Sequence, residues 1–163
     1  MSTSRIVTDE SKLRRHSEDA TAEEAEEIIE QLKHELSTYH PNGIGLSAIQ
    51  IGIPKNVFIL DINGEVKSYV NPKLVTCQHP YIATESCLSF EAELVETIRY
   101  RRVVYYTSEG NNELTGLEAH AFQHEYDHLN GMLMFDRIVP EKYDPCFCGS
   151  VEKFKFCCIR RLK

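Results

Sequence analysis

The clearest periodic pattern in the chain lies between residues 21 and 38. Apolar residues recur there at intervals of three and four, which places them on one face of an α-helix. They are Ala25, Ile28, Ile29, Leu32 and Leu36. Thr21 followed by Glu24 is the signature of a capping box at a helix start. The pattern predicts an amphipathic helix over 21–38 that ends near the turn-forming sequence His40-Pro41-Asn42-Gly43.

Short runs of β-branched and aromatic residues follow this helix. The runs at 57–60 and 66–70 flank an Asn63-Gly64 pair, which predicts a β-hairpin. Three more strands are predicted, around 74–76, 98–100 and 103–107. A second helix is predicted from about 115 to 130, with Gly131 as its C-terminal glycine. Strands that precede a late helix, without regular β-α-β alternation, favour an α+β fold.

The length and charge of the chain limit how many domains it can form and which partners it can bind. Its 163 residues suit one compact domain with a small appendage. Residues 1–140 carry a net charge of −10, whereas residues 141–163 carry +3. The acidic body argues against binding to DNA, while the basic tail leaves room for one local contact with an anionic partner. Without a long apolar run or a signal peptide, we expect no membrane association and a cytoplasmic protein.

The predicted second helix carries a possible metal site. Because a helix advances about 100° per residue, His124 and His128 project from one face and can bind one metal ion. Glu125 lies beside the first histidine, where it can take a proton from an attacking water. The alternative is an ordinary amphipathic helix with two surface histidines, and the HExxH pattern alone does not decide between them.

A catalytic metal site of this kind needs a third protein ligand and an open position. The extended motif would place a third histidine downstream, but Met134 stands there. Cys87 is the preferred upstream ligand, with a buried structural thiol as the alternative. His120 is a rival, one turn before His124. Three successive histidines on one helical stripe cannot all reach one metal, so His120 is predicted to line the adjoining pocket.

Three blocks of sequence, in order, resemble the peptide deformylase family, whose motifs are GxGLAAxQ, EGCLS and HExDH. They are Gly43-Ile44-Gly45-Leu46-Ser47-Ala48-Ile49-Gln50, Glu85-Ser86-Cys87-Leu88-Ser89 and His124-Glu125-Tyr126-Asp127-His128. The resemblance extends in outline from the N-terminal helix to about residue 139. It implies a catalytic domain over 1–140 with an α+β fold, in which mixed or antiparallel sheets surround a central HExxH helix.

The resemblance also implies the reaction, which is removal of the formyl group from N-terminal formyl-methionine of newly made polypeptides. The metal ligands would be Cys87, His124 and His128, with Fe²⁺ as the native metal and Zn²⁺ or Ni²⁺ often in its place. Glu125 would be the acid and base. The side-chain amide of Gln50 and the backbone N–H of Leu88 would hold the formyl oxygen as it becomes an oxyanion.

The same resemblance places the substrate against the first block. Gly45 would let a peptide backbone approach closely, as only glycine permits. The expected substrate-binding residues are Ile44, Gly45, Leu46, Glu85 and His120. Glu85 and Asp127 are candidates to orient the histidines, with Arg99 as a counter-charge for Asp127. The alternative for each of the three is an ordinary surface charge or salt bridge.

Departures from the family pattern bear on substrate preference and rate more than on the reaction. Ser47 replaces an alanine and Ser86 a glycine, and both substitutes are small. Phe90-Glu91 stands where an apolar residue and proline are common, and His120 where an apolar pocket residue is expected.

Four of the six cysteines cluster near the end of the chain, at Cys146, Cys148, Cys157 and Cys158. In a cytosolic chain such thiols favour metal binding over disulfides, and two close pairs can bind one structural Zn²⁺. Such a site can organise a segment too short to have its own core. The pattern resembles the SEC-C motif, a small zinc module, and predicts a zinc-binding tail over 141–163. The alternative is a reduced, disordered tail.

The leading hypothesis is therefore an enzyme that releases formate from formylated nascent peptides, with the basic tail docked near the ribosome. A related metallopeptidase or amidase could use the same metal site, and is distinguished by its product. A catalytically silent adapter acting through the zinc tail is the third hypothesis. The intact set of Gln50, Cys87, His124, Glu125 and His128 argues against it.

Overall fold

The computed structural model describes residues 3–162. A short helix, α1 (Glu10–Leu13), is capped by Asp9, whose carboxylate accepts the Ser11 N–H at 2.9 Å. The predicted amphipathic helix follows as α2 (Ala22–Tyr39). Its capping box is confirmed, because Thr21 Oγ1 accepts the Glu24 N–H at 3.2 Å and Glu24 Oε2 accepts the Thr21 N–H at 2.8 Å.

The first sheet contains the predicted hairpin. Its strands are β1 (Gly45–Ser47), β2 (Val57–Ile62) and β3 (Glu65–Val70), antiparallel and in that order. Asn63 and Gly64 form the turn with φ angles of 56° and 81°, which confirms the hairpin. A 3₁₀ helix, Ala48–Ile51, leads out of β1 and was not predicted.

The second sheet is larger than the sequence predicted. It consists of β4 (Lys73–Cys87), β5 (Phe90–Thr107) and β6 (Gly110–Thr115), again antiparallel and in chain order. The three predicted short strands are fragments of β4 and β5. Most of β4 before Ala83 is exposed or half-buried, so its sequence lacks the alternation that marks a strand with one buried face. β6 carries the exposed polar pair Asn111-Asn112 after its first residue and was missed for the same reason.

The second predicted helix forms as α3 (Gly116–Leu129) and packs against both sheets. β2 is buried on both faces. Val57 and Ile59 belong to the core beneath α2, whereas Phe58 and Leu60 belong to the core that contains Phe122 of α3. The sequence therefore places α3 between the sheets, with apolar residues of β2 behind it.

The N-terminal segment contacts the end of α3. The Ser17 N–H donates to the Leu129 carbonyl oxygen at 2.9 Å. A Cβ at Gly131, where φ is 68°, would lie 2.3 Å from the Arg14 carbonyl oxygen. Glycine is therefore required at this helix end both by conformation and by space.

The tail is a small folded segment with two 3₁₀ helices, Phe154–Phe156 and Cys158–Arg161. Phe154 is buried between Cys146 and Cys158, with Val139 packed against this cluster. The Val139 N–H donates to the Glu96 carbonyl oxygen at 3.0 Å, which ties the segment just before the tail to β5. Among the described residues, no helix is both long enough and apolar enough to cross a membrane.

Candidate active site and metal centre

Three side chains converge where β4 ends against α3. Cys87 is the last residue of β4, and His124 and His128 lie one turn apart on α3. Their possible ligand atoms all lie within 4.8 Å of one another, and all three residues are buried. Cys87 Sγ is 3.4 Å from His128 Nε2. The two histidines, one helical turn apart, and the upstream cysteine therefore come together at one site, as the sequence predicted.

The state of these groups suits a metal ion. Burial holds the pKa of His128 well below its ordinary value, which favours the neutral imidazole that binds metals. Its Nδ1 is buried without a hydrogen-bond partner within residues 3–162. Burial also acts to lower the pKa of His124, but Cys87 and Glu85 outweigh it and raise that pKa. One thiol and two imidazoles are donors for Fe²⁺, Zn²⁺ or Ni²⁺, and they form a Cys/His/His metal site.

Glu125 lies beside this site, and its two carboxylate oxygens have different surroundings. Oε2 accepts a hydrogen bond of 2.7 Å from the Ser47 hydroxyl. A Cβ at Gly45 would lie 2.5 Å from Oε1, so this second oxygen faces the open backbone of β1. Burial raises the pKa of Glu125, while His124 and the Ser47 hydrogen bond oppose that rise. A buried carboxylate with a raised pKa is suited to general acid–base chemistry.

Gln50 projects from the 3₁₀ helix after β1 towards Cys87. Its Oε1 accepts the Ser47 N–H at 3.0 Å. Its Nε2 is directed to the metal site, 3.2 Å from Ser89 Oγ and 3.5 Å from Cys87 Sγ. The amide N–H groups of Gln50 therefore face the space beside the metal ligands.

A buried charge network supports the centre from behind. Glu85 lies 3.6 Å from His124 Nδ1 and accepts two hydrogen bonds from Arg99. Asp127, which the sequence offered as a second partner of the histidines, bonds instead to Arg99 and Arg137. Burial would raise the pKa of Glu85, but His120, His124 and Arg99 lower it far below its ordinary range.

A cavity of about 840 Å³ opens in front of the metal ligands. Its lining includes the predicted residues Ile44, Gly45, Glu85, Leu88 and His120. Leu46 is different, because its side chain is fully buried in the core beneath α2. The structure places His120 on the cavity wall and outside the metal cluster, as its Nε2 is 3.2 Å from Glu85 Oε2.

Comparison with known proteins identifies the family. The sequence pattern of the family described as polypeptide deformylase matches residues 4–144. The chain belongs to this family. Its activity is removal of the N-formyl group from nascent peptides, and the Cys/His/His site and the fold agree with it.

Individual deformylases are similar over most of the chain. Peptide deformylase from Thermotoga maritima is 41% identical over 110 residues, which cover 64% of this chain and 67% of the relative. Its crystal structure superposes with a TM-score of 0.75 at 34% identity, covering 86% of this chain and all of the other. A Plasmodium falciparum deformylase gives a TM-score of 0.73 at 30% identity, with coverage of 82% and 86%. The family match ends at residue 144, before the first tail cysteine.

The tail cysteines form a second cluster. The sulfur atoms of Cys146, Cys148, Cys157 and Cys158 lie within 4.8 Å of one another. Hydrogen bonds from the Ser150 side chain and backbone, and then from neighbouring cysteines, lower the pKa of Cys148 to about 6. This shift favours the thiolate, the form that binds metals, at Cys148, whereas burial raises the pKa of Cys158. The cluster is therefore a possible Cys₄ metal site.

Three features of the site were missed by sequence reasoning. Tyr81 donates or accepts a 2.8 Å hydrogen bond with His120 Nδ1, and it lies in a part of β4 that was not predicted as strand. Ser89 was quoted in a motif without its contact to Gln50. Arg137 was not singled out, although it bonds to both oxygens of Asp127. No local pattern marks these contacts, since each joins separate elements.

Proposed function

We propose that the chain deformylates N-terminal formyl-methionine by acid–base hydrolysis, with Glu125 moving the proton. The observation that carries this proposal is the position of Glu125. It is adjacent to the metal ligand His124, one oxygen is held by Ser47, and the other faces Gly45 at the cavity. A carboxylate that exchanges protons with a water molecule needs one oxygen within reach of that water and the other held in place by a hydrogen bond.

In the proposed reaction, Glu125 accepts a proton from the water whose oxygen adds to the formyl carbon. The formyl oxygen gains negative charge and accepts hydrogen bonds from Gln50 Nε2 and the Leu88 backbone N–H. The carbon–nitrogen bond then breaks, and Glu125 donates its proton to the leaving amine, so that formate and a free N-terminus are produced. A bound metal supplies Lewis acidity that lowers the pKa of water. Each fixed donor to a developing oxyanion typically contributes about 3 kcal/mol.

The substrate would bind as an extended strand beside β1. Among residues 3–162, β1 pairs with β2 along one edge and with no strand along the other, where a peptide could add main-chain hydrogen bonds. Ile44 is 40% exposed and Gly45 lines the cavity, whereas Leu46 is fully buried and does not line it. Glu85 and His120 would line the pocket for the first side chain.

The reaction is tested by formate release from anaerobically purified protein and a formyl-methionyl peptide. Glu125→Ala should lower kcat by at least about 100-fold, as expected for loss of a general base. Glu118→Gln is the matched control, because Glu118 lies on the same helix outside the cavity and pairs with Lys67. No formate above the Glu125→Ala level would end the proposal, and internal peptide cleavage would indicate a metallopeptidase instead.

Fe²⁺ is the proposed working metal, with Zn²⁺ or Ni²⁺ able to replace it. A ligand set of one thiolate and two imidazoles is soft enough to bind iron, and its thiolate makes the site sensitive to oxidation. Metal analysis of protein purified without oxygen, followed by activity after reconstitution with each ion, tests this. Zinc-loaded protein that is more active than iron-loaded protein would contradict it.

For the tail, we propose that residues 141–163 form a separate unit built on one structural Zn²⁺. Its ligands would be Cys146, Cys148, Cys157 and Cys158. The unit would dock the enzyme near the ribosome, in the cytoplasm, where formylated chains emerge. Lys142, Lys153 and Lys155 all lie within 6 Å of the Tyr143 ring, and Phe156 is exposed beside them. None of these lysines makes an ion pair with a described residue, so their charge is available to an anionic partner.

Ribosome co-sedimentation tests the docking. Deletion of residues 144–163 should abolish it, and a triple change of Lys142, Lys153 and Lys155 to Gln should weaken it and reduce its salt dependence. Changing Lys33, Lys55 and Lys67 to Gln removes the same charge from the body and serves as the control. Binding that is unchanged by the deletion would end the idea.

A further inference from the structure

Ser47 contacts two of the groups that the proposed reaction uses, Glu125 and Gln50. Its side chain is fully buried, and its hydroxyl lies 2.7 Å from Glu125 Oε2 and 3.1 Å from the Glu125 carbonyl oxygen. Its backbone N–H donates to Gln50 Oε1 at 3.0 Å. One residue at the end of β1 thus joins the carboxylate on α3 to the amide on the following 3₁₀ helix.

We propose that Ser47 is a positioning residue that fixes the rotation of the Glu125 carboxylate and the Gln50 amide. This inference rests on the proposed roles of Glu125 and Gln50. The last torsion of a Glu or Gln side chain has a broad, two-fold preference, so covalent geometry alone does not fix which atom faces the cavity. Hydrogen bonds must do so, and both side chains are too buried for bulk water to replace them.

The two contacts have complementary consequences. With Oε2 held by the Ser47 hydroxyl, Glu125 keeps Oε1 on the side of Gly45 and the cavity. With its oxygen held by the Ser47 N–H, Gln50 keeps Nε2 towards Cys87 and Ser89. The hydroxyl belongs to the side chain and is lost on substitution by alanine, whereas any residue except proline supplies the N–H. Substitution of Ser47 therefore separates the support of Glu125 from the support of Gln50.

The test compares Ser47→Ala with Ser47→Cys in the metal-loaded enzyme. Loss of a hydrogen bond to a charged group should lower kcat by about 10-fold to 100-fold in Ser47→Ala, with KM and metal content unchanged. Ser47→Cys retains a weak donor of similar size and should fall between Ser47→Ala and wild type. Thr97→Val is the matched control, because Thr97 Oγ1 is a buried hydroxyl with no hydrogen-bond partner among residues 3–162.

Each outcome decides the matter. A Ser47→Ala enzyme with wild-type kcat and full metal content would overturn the positioning role and leave the deformylase reaction intact. Loss of metal or of folding in both Ser47 variants, in parallel with their activity, would also overturn it, because Ser47 would then be structural. A wild-type enzyme that releases no formate overturns the proposed reaction itself, and this inference with it.

Discussion

Arg99 donates from Nε and Nη2 to the two carboxylate oxygens of Glu85, at 3.0 and 2.6 Å, and the pair is almost completely buried. A third hydrogen bond of 2.6 Å joins Arg99 Nη1 to Asp127 on α3. One cation thus ties β4, β5 and the metal-binding helix together. Glu85 in turn faces His124, so the same network reaches the metal ligands.

Arg99→Met should therefore be strongly destabilising. It leaves the buried carboxylate of Glu85 without its arginine and Asp127 with Arg137 alone, and loss of one partner of a buried ion pair typically costs about 3–5 kcal/mol. Urea denaturation measures the change in the free energy of unfolding. Arg102→Gln is the control, because its pair with Glu113 is partly exposed and should contribute less than about 1 kcal/mol. Equal losses in the two variants would contradict the role assigned to the buried network.

Gly45→Ala should reduce activity more than stability. The added Cβ would lie 2.5 Å from Glu125 Oε1, so the carboxylate must move from its position at the cavity. We expect kcat to fall by about 100-fold or more, the size of a general-base contribution. Gly64→Ala provides the opposite case. Gly64 has a φ of 81° and open space around it, so an added Cβ meets no neighbour but strains the backbone. This strain should lower the free energy of unfolding by about 1 kcal/mol and leave kcat unchanged.

Metal analysis should separate the two cysteine clusters. Cys146→Ser removes a buried thiol of the tail cluster, and bound metal should fall from about two ions per chain to one, because structural zinc sites need all four ligands. Deformylation by the remaining metal site should continue. Cys77→Ser is the control, since Cys77 belongs to neither cluster. A wild-type protein with only one ion per chain would refute the tail site.

Asp136 should make the stability of the N-terminal contact depend on pH. Burial acts to raise its pKa, but hydrogen bonds from Arg14 and the Leu133 N–H outweigh this and lower it. The pKa of Asp136 is lower in the folded protein than in the unfolded chain, where it is about 3.9. Ionised Asp136 therefore stabilises the folded state above about pH 3.9, and this contribution is lost as the pH falls through the pKa of the folded protein. Asp136→Asn should thus be less stable than wild type by about 1 kcal/mol at pH 7, and this difference should shrink as the pH falls below about 3.9.

Urea denaturation of both proteins across this pH range gives the comparison. Arg14→Gln should show the same trend, because Arg14 supplies the main hydrogen bond to Asp136. A difference between Asp136→Asn and wild type that stays constant from pH 7 to pH 2.5 would show that the charge of Asp136 is not the source of its effect.

Sequence reasoning was most successful where structure is local. The capping box of Thr21 and Glu24, the Asn63-Gly64 turn and the spacing of His124 and His128 each depend on residues within a few positions, and each is present. The contacts that complete the site are of another kind. Ser47 and Glu125 are 78 residues apart, and Tyr81 and His120 are 39 apart. Only the packing of α3 between the sheets brings such residues together, and no periodic pattern encodes it.

The contact between Ser17 and the end of α3 has a consequence for the order of folding. Leu129 is synthesised more than a hundred residues after its partner Ser17. Pairings this distant in sequence form slowly, because the intervening chain must first lose its freedom. The support that Ser17 gives to the end of the catalytic helix can therefore form only after more than a hundred further residues have been synthesised.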